Sequence, residues 1–105
     1  MLRDRMRSYK TSIAKVKVDT RIEFDNDCSS TSSLIQVIAQ DRPGLLHRIS
    51  SRFSHHKCNI EIALIDTEGE TALDVFYLTA NGHKLPLELQ QTVRESLLER
   101  LTKTR

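Results

Sequence analysis

The sequence predicts an α+β fold, an antiparallel sheet with two helices packed on one face. Three observations carry that prediction. Residues 16–24 alternate apolar with charged or polar side chains, the period of two that marks a strand with one buried face. Pro43 and Pro86 each open a stretch whose apolar residues recur at helical spacing. A short polar turn, "TEGE" at residues 67–70, joins two further strand-like runs. The length of 105 residues suits one domain with a modest core and is too short for two.

In the leading strand, Val16, Val18, Thr20, Ile22 and Phe24 share one face and Lys17, Asp19, Arg21 and Glu23 the other. A polar connector rich in turn-formers, residues 25–33, follows. Residues 34–39, "LIQVIA", are apolar on both faces and read as a central strand. A helix is predicted over residues 43–55, with Leu45, Leu46, Ile49 and Phe53 on its apolar side. Residues 59–66 form the next strand, with Ile60, Ile62 and Leu64 on one face. The returning strand spans residues 71–79, with Leu73, Val75 and Tyr77 on one face. After "ANGHK" breaks the chain, a closing helix over residues 86–101 carries Leu89, Val93, Leu97 and Leu101.

The last five elements make up most of a split βαβ, ferredoxin-like unit. That unit normally ends with a strand after its second helix, and "TKTR" cannot supply one. The leading strand at residues 16–24 is therefore expected to take its place in the sheet, as in a circular permutation, since an unpaired edge invites misassociation. The domain is set at residues 15–102. Residues 1–14 are read as a basic linker or flexible lead-in: residues 1–17 hold six basic side chains against the single Asp4, while the rest of the chain is mildly acidic.

The stretch "AQDRPGLLHRI" marks a strand-to-helix junction. Pro43 suits a first helical position and Arg42, before proline, suits the N-cap. Gly44 inside a helix costs about 0.5–1 kcal/mol relative to alanine, which suggests a close approach to the backbone. The N–H groups of Gly44, Leu45 and Leu46 would then lack partners in the helix, where the dipole favours an anion. One reading is a docking site for a small carboxylate. The other is that Gly44 merely permits close helix–sheet packing while Asp41 caps the helix.

The motif D-R-P-G-L-L after a strand, with Asn59-Ile60 opening the next one, resembles the ACT domain family of small amino-acid-sensing modules. Over residues 18–101 the chain is also similar to the C-terminal ACT domain of the bifunctional enzymes that uridylylate and deuridylylate the nitrogen-signalling protein PII. The resemblance implies a non-catalytic regulatory domain that binds an amino acid, with glutamine as the ligand in the enzymes it resembles. It also implies pairing with another ACT domain, as a homodimer or within a parent chain. Carried over by position, the ligand site comprises Asp41, Arg42, Pro43, Gly44, Leu45 and Leu46, with Asn59 and Ile60 across from them. Asp41 or Asn59 would meet the ligand's ammonium or amide. The alternative is a ligand-free docking or dimerisation module of another multi-ACT protein.

Other functions find less support. No cofactor or metal is expected: His55 and His56 in "HHKC" are adjacent, point about 100° apart on a helix, and are better explained by the helix dipole. Asp74, inside an apolar strand, is expected to face solvent or an interface. Cys58 reads as a small buried hydrophobe, and His83 and Lys84 as exposed loop residues. RNA-binding sheets of this topology stack bases on aromatics of two central strands, and residues 34–39 have none, so no nucleic acid is expected. The sequence has no apolar run of roughly 18 residues and no signal-peptide pattern, so no membrane is expected. Two cysteines without CxxC spacing suit a reducing cytoplasm.

Overall fold

Residues 18–102 are described by a computed structural model, and the predicted order of elements holds within them with one addition, a two-residue strand at Thr67–Glu68 inside the stretch read as a turn. The chain runs β1 (Arg21–Asp25), β2 (Ser33–Gln40), α1 (Leu45–His55), β3 (Asn59–Leu64), β4 (Thr67–Glu68), β5 (Thr71–Thr79) and α2 (Leu87–Thr102). The basic lead-in, and Val16 and Lys17 of the leading strand, lie outside the described residues.

The two strands with the longest apolar runs, β2 and β5, pair antiparallel at the centre of the sheet, in the order β1-β2-β5-β3 with β4 also on β5. β1 pairs antiparallel with β2 on the edge away from β3, the position expected for the leading strand. Its ladder begins at Arg21, later than the alternation predicts. Val18 instead donates its N–H to the side chain of Gln40 at 3.3 Å, so the chain enters the sheet through a side chain rather than the ladder. α2 holds this replacement strand. The Arg94 guanidinium lies over the Phe24 ring, 5.6 Å from its centroid, and donates to the Ile22 carbonyl.

Alternation along the central strands decides what is buried. Ile35, Val37 and Ala39 of β2 join Ala72, Phe76 and Leu78 of β5 on the face covered by both helices. From above, α1 inserts Leu45, Ile49 and Phe53, one residue per turn, and α2 inserts Val93 and Leu97. Phe53 meets Phe76 edge-to-face at 5.1 Å. The apolar stripe of α1 is narrower than predicted, and Leu46 is exposed. Leu89 and Leu101 are partly buried at the margin of the core.

Asp74 corrects the sequence reading most sharply. It pairs across the ladder with Val37, which points into the core, so its side chain lies on the helix-covered face and is only 2% exposed. Alternation does set Asp74 with Phe76, opposite Val75, but the face expected to meet solvent or an interface is the one that packs into the core.

β3 also departs from expectation. It ends at Leu64, short of residue 66, and a register shift between Ile60 and Ile62 sets Ile60 opposite Leu78 but Ile62 opposite Tyr77. The bulge therefore puts Ile60 on one face and Ile62 with Leu64 on the other. The whole strand is exposed, with Ile62 at 51% and Leu64 at 56%. Lys84 is half-buried rather than exposed. Its ammonium donates to the Asn26 carbonyl, while buried Ser33 donates to Asn26 Oδ1 at 2.6 Å, closing the β1–β2 loop against the start of α2.

Candidate functional site

The Pro-Gly pair has a local explanation that differs from the predicted one. Leu45 donates its N–H to the Arg42 carbonyl at 3.1 Å, closing a turn with Pro43 second and Gly44 third. Gly44 has φ 81° and ψ 4°, the third-position geometry of a type II turn, which proline and glycine favour at these two places. Helix α1 thus begins at Leu45 and not at residue 43, with Gly44 as its N-cap. A Cβ at Gly44 would meet nothing within 4 Å, so backbone conformation, not close packing, requires the glycine.

The turn leaves the helix start open. No side chain caps it and no acidic residue lies in its first turn. Asp41 is not the cap. Its own N–H is bonded to the Glu70 carbonyl at 2.9 Å, which ties the loop to the β4–β5 turn. Leu45 has spent its donor on the turn, so the helix N–H groups left without a backbone partner are that of Leu46, as predicted, and that of His47.

A cavity of about 210 Å³ lies against this helix start. Asp41, Arg42, Gly44, Leu45, Leu46 and His47 line one side, and Ile65, Thr67, Ala72 and Asp74 the other. The interruption between β3 and β4 builds the second wall: Asp66 accepts the Leu73 N–H at its carbonyl and the Thr67 N–H at its carboxylate. The Asp66 N–H reaches Asp74 Oδ1 at 3.4 Å, a long bond. Burial pushes the Asp74 carboxyl above its ordinary range. The Asp66 N–H opposes that shift, and the charges of Asp41 and Asp66 reinforce it.

The predicted site residues do not all converge. Asp41, Arg42, Gly44, Leu45 and Leu46 share this cavity, and Pro43 does not line it. Asn59 and Ile60 line a different cavity, about 450 Å³, with Ser50, Ser54 and Cys58. His47, on α1, borders both. Sequence reasoning missed Asp74, His47 and Thr67. For Asp74 the signal was present, a lone carboxylate inside "TALDVFYLT", but its face was misjudged.

The far end of α1 is closed. Lys57, at φ 62°, donates to the Ser54 carbonyl, and Cys58 donates to the Phe53 carbonyl at 2.9 Å, the paired bonds of a Schellman motif. His55 and His56 stack edge-to-face here, 4.9 Å between centroids. Burial, then the neighbouring His55 and Arg52, lowers the His56 pKa. Among the described residues no three His, Cys, Asp or Glu side chains are grouped to hold a metal. Cys58 is buried, as the sequence predicts. Cys28 is exposed and donates to Asp25 at 3.0 Å, a bond that raises the thiol pKa and disfavours a reactive thiolate. No helix among the described residues is long and apolar enough to cross a membrane.

A family model described as "ACT domain" matches residues 33–104. The chain is similar to curated proteins named "Bifunctional uridylyltransferase/uridylyl-removing enzyme". It is 39% identical over 87 residues to that of Vibrio atlanticus, covering 82% of this chain and 10% of the relative. To that of Gluconobacter oxydans it is 40% identical over 90 residues, covering 83% and 9%. To that of Caulobacter vibrioides it is 34% identical over 79 residues, covering 74% and 8%. The chain thus spans about a tenth of the length of the curated relatives it matches.

Proposed function

Because this chain belongs to the ACT domain family of regulatory ligand-binding modules, we propose that it binds a free amino acid, L-glutamine, at the open start of α1. The reading further holds that occupancy is reported to the catalytic domains of a PII uridylyltransferase-type enzyme, with no catalysis or cofactor in this domain. The observation that carries it is the uncapped helix start over a cavity of about 210 Å³. The N–H groups of Leu46 and His47 and the helix dipole would hold the ligand's α-carboxylate. Arg42, on the same wall, adds positive charge. Regulation is a population shift, limited by the difference in glutamine affinity between two domain arrangements. A cytoplasmic setting follows from the same reading.

The exposed β3 supports a second part of the proposal. Ile62 and Leu64 on one face of β3, with Ile60 on the other and Ile65 just past its end, are exposed apolar side chains that another ACT domain would cover, as a second copy or within a parent chain. Asn59 and Ile60 would contribute to a ligand site only through that pairing, since their cavity is separate in one copy. The same exposed strand favours the second reading, a docking module that takes no ligand.

Thermal unfolding of the chain with each of the twenty amino acids at millimolar concentration tests the proposal. A ligand at 100 times its dissociation constant adds about 2.7 kcal/mol, on the order of ten degrees for a domain of this size. A rise with L-glutamine is expected. No rise with any of the twenty leaves the docking reading.

A further inference from the structure

Asp74 is an expensive residue for its position. It lies on the core face of β5, among Ala72, Phe76 and Val37, where an apolar side chain would pack without desolvating a charge. Yet it receives little in return. Its one bond is the long contact from Asp66, and among the described residues no donor meets Oδ2 and no cation pairs with it. The charges of Asp41 and Asp66, which act on it, are of its own sign. What it does face is the cavity at the helix start.

That cavity has two electrical poles. Leu46 and His47, whose N–H groups have no backbone partner at the positive end of α1, line it on the helix side. Its lower wall presents Asp74, with Asp41 beside it at the rim. An anion alone satisfies the first pole and leaves the second unpaired, while among the described residues a metal ion finds no three-ligand group. A zwitterion satisfies both. We propose that Asp74 is the counter-charge for the ligand's ammonium group, with Asp41 as its lesser partner. The site then selects α-amino acids bearing a free, protonated amine, and rejects 2-oxo acids and N-acylated amino acids of the same shape. This rests on the amino-acid-binding reading above and names the group that reads the amine.

The test is titration calorimetry of the 105-residue chain with L-glutamine, N-acetyl-L-glutamine and 2-oxoglutaramate, repeated on Asp74→Asn. The variant keeps the shape and removes the charge. The loss of a charge-assisted hydrogen bond predicts roughly ten- to a hundredfold weaker L-glutamine binding by Asp74→Asn, with an unchanged circular dichroism spectrum. Wild-type protein is expected to bind L-glutamine and neither analogue. Equal binding of the analogues, or full affinity in Asp74→Asn, overturns the proposal and leaves Asp74 a buried neutral acid. If Asp74→Asn does not fold, the analogues on wild-type protein decide alone. If wild-type protein binds none of the twenty amino acids, the amino-acid reading itself fails and takes this proposal with it. If an amino acid other than glutamine is the ligand, its own N-acetyl and 2-oxo derivatives serve.

Discussion

The two ends of α1 solve the same problem in opposite ways. Every helix leaves backbone donors unpaired at its start and acceptors unpaired at its finish. At the finish, the N–H groups of His56, Lys57 and Cys58 turn back onto the carbonyls of Arg52, Phe53 and Ser54. At the start, a type II turn consumes one donor, nothing caps the next two, and a cavity with a buried carboxylate lies beneath. Both ends use a residue at positive φ, Lys57 and Gly44. One end is finished by the chain itself; the other is left open above a cavity, where the proposed ligand would finish it.

The largest effect should come from the closed end. Phe53→Ala removes the ring that packs on Phe76 at the base of the Schellman motif and should cost about 3–5 kcal/mol, measured by urea unfolding. A loss below about 1 kcal/mol would mean that this end is not an anchor. Next is Gly44→Ala, expected to destabilise by about 1–2 kcal/mol through its left-handed backbone alone, since the added methyl meets open space. Gly44→Asn should recover part of that loss, because asparagine tolerates the conformation. At the opposite end, Lys57→Gly should stabilise by up to about 1 kcal/mol and leave ligand affinity unchanged. A Lys57 variant that weakened binding would blur the distinction between the ends.

The smallest effects separate the ends by the sign of their pH dependence. Asp74 has a raised pKa in the folded state, so the fold binds its proton more tightly than the unfolded chain does. Stability is therefore lost as pH rises from the ordinary carboxylate value of 3.8 towards the raised one. Asp74→Asn should be more stable than wild type at neutral pH, with the gap closing in acid. His56 has a lowered pKa, so the fold disfavours its proton, and stability is lost as pH falls below the ordinary 6.5. His56→Gln should lessen that loss in acid and change little at pH 8. Chemical unfolding of both variants from pH 4 to pH 8 reads the two slopes.

The fold was legible because its signals are local and repeated. The alternation in β5, the spacing of Val93 and Leu97, and the turn before β5 each name one element. What was not legible depends on register. The bulge that separates Ile60 from Ile62 leaves no mark in "NIEIAL", whose alternation looks uninterrupted. The face of Asp74 follows from its pairing with Val37 and not from the preference of carboxylates for water. At Gly44 the residue types were right and the reason was not, since Pro-Gly serves the helix's first residue equally well as the middle of a type II turn. The resemblance grouped eight site residues, but only five line the cavity in one copy of the chain.

Whether the open start of α1 is where a ligand ends the helix is read directly by amide chemical shifts. Titrating the 15N-labelled chain with L-glutamine should move the backbone amides of Leu46 and His47 furthest, with His56, Lys57 and Cys58 nearly still. Shifts centred on Asn59 and Ile60 or on the exposed strand β3, with Leu46 and His47 unmoved, would contradict it.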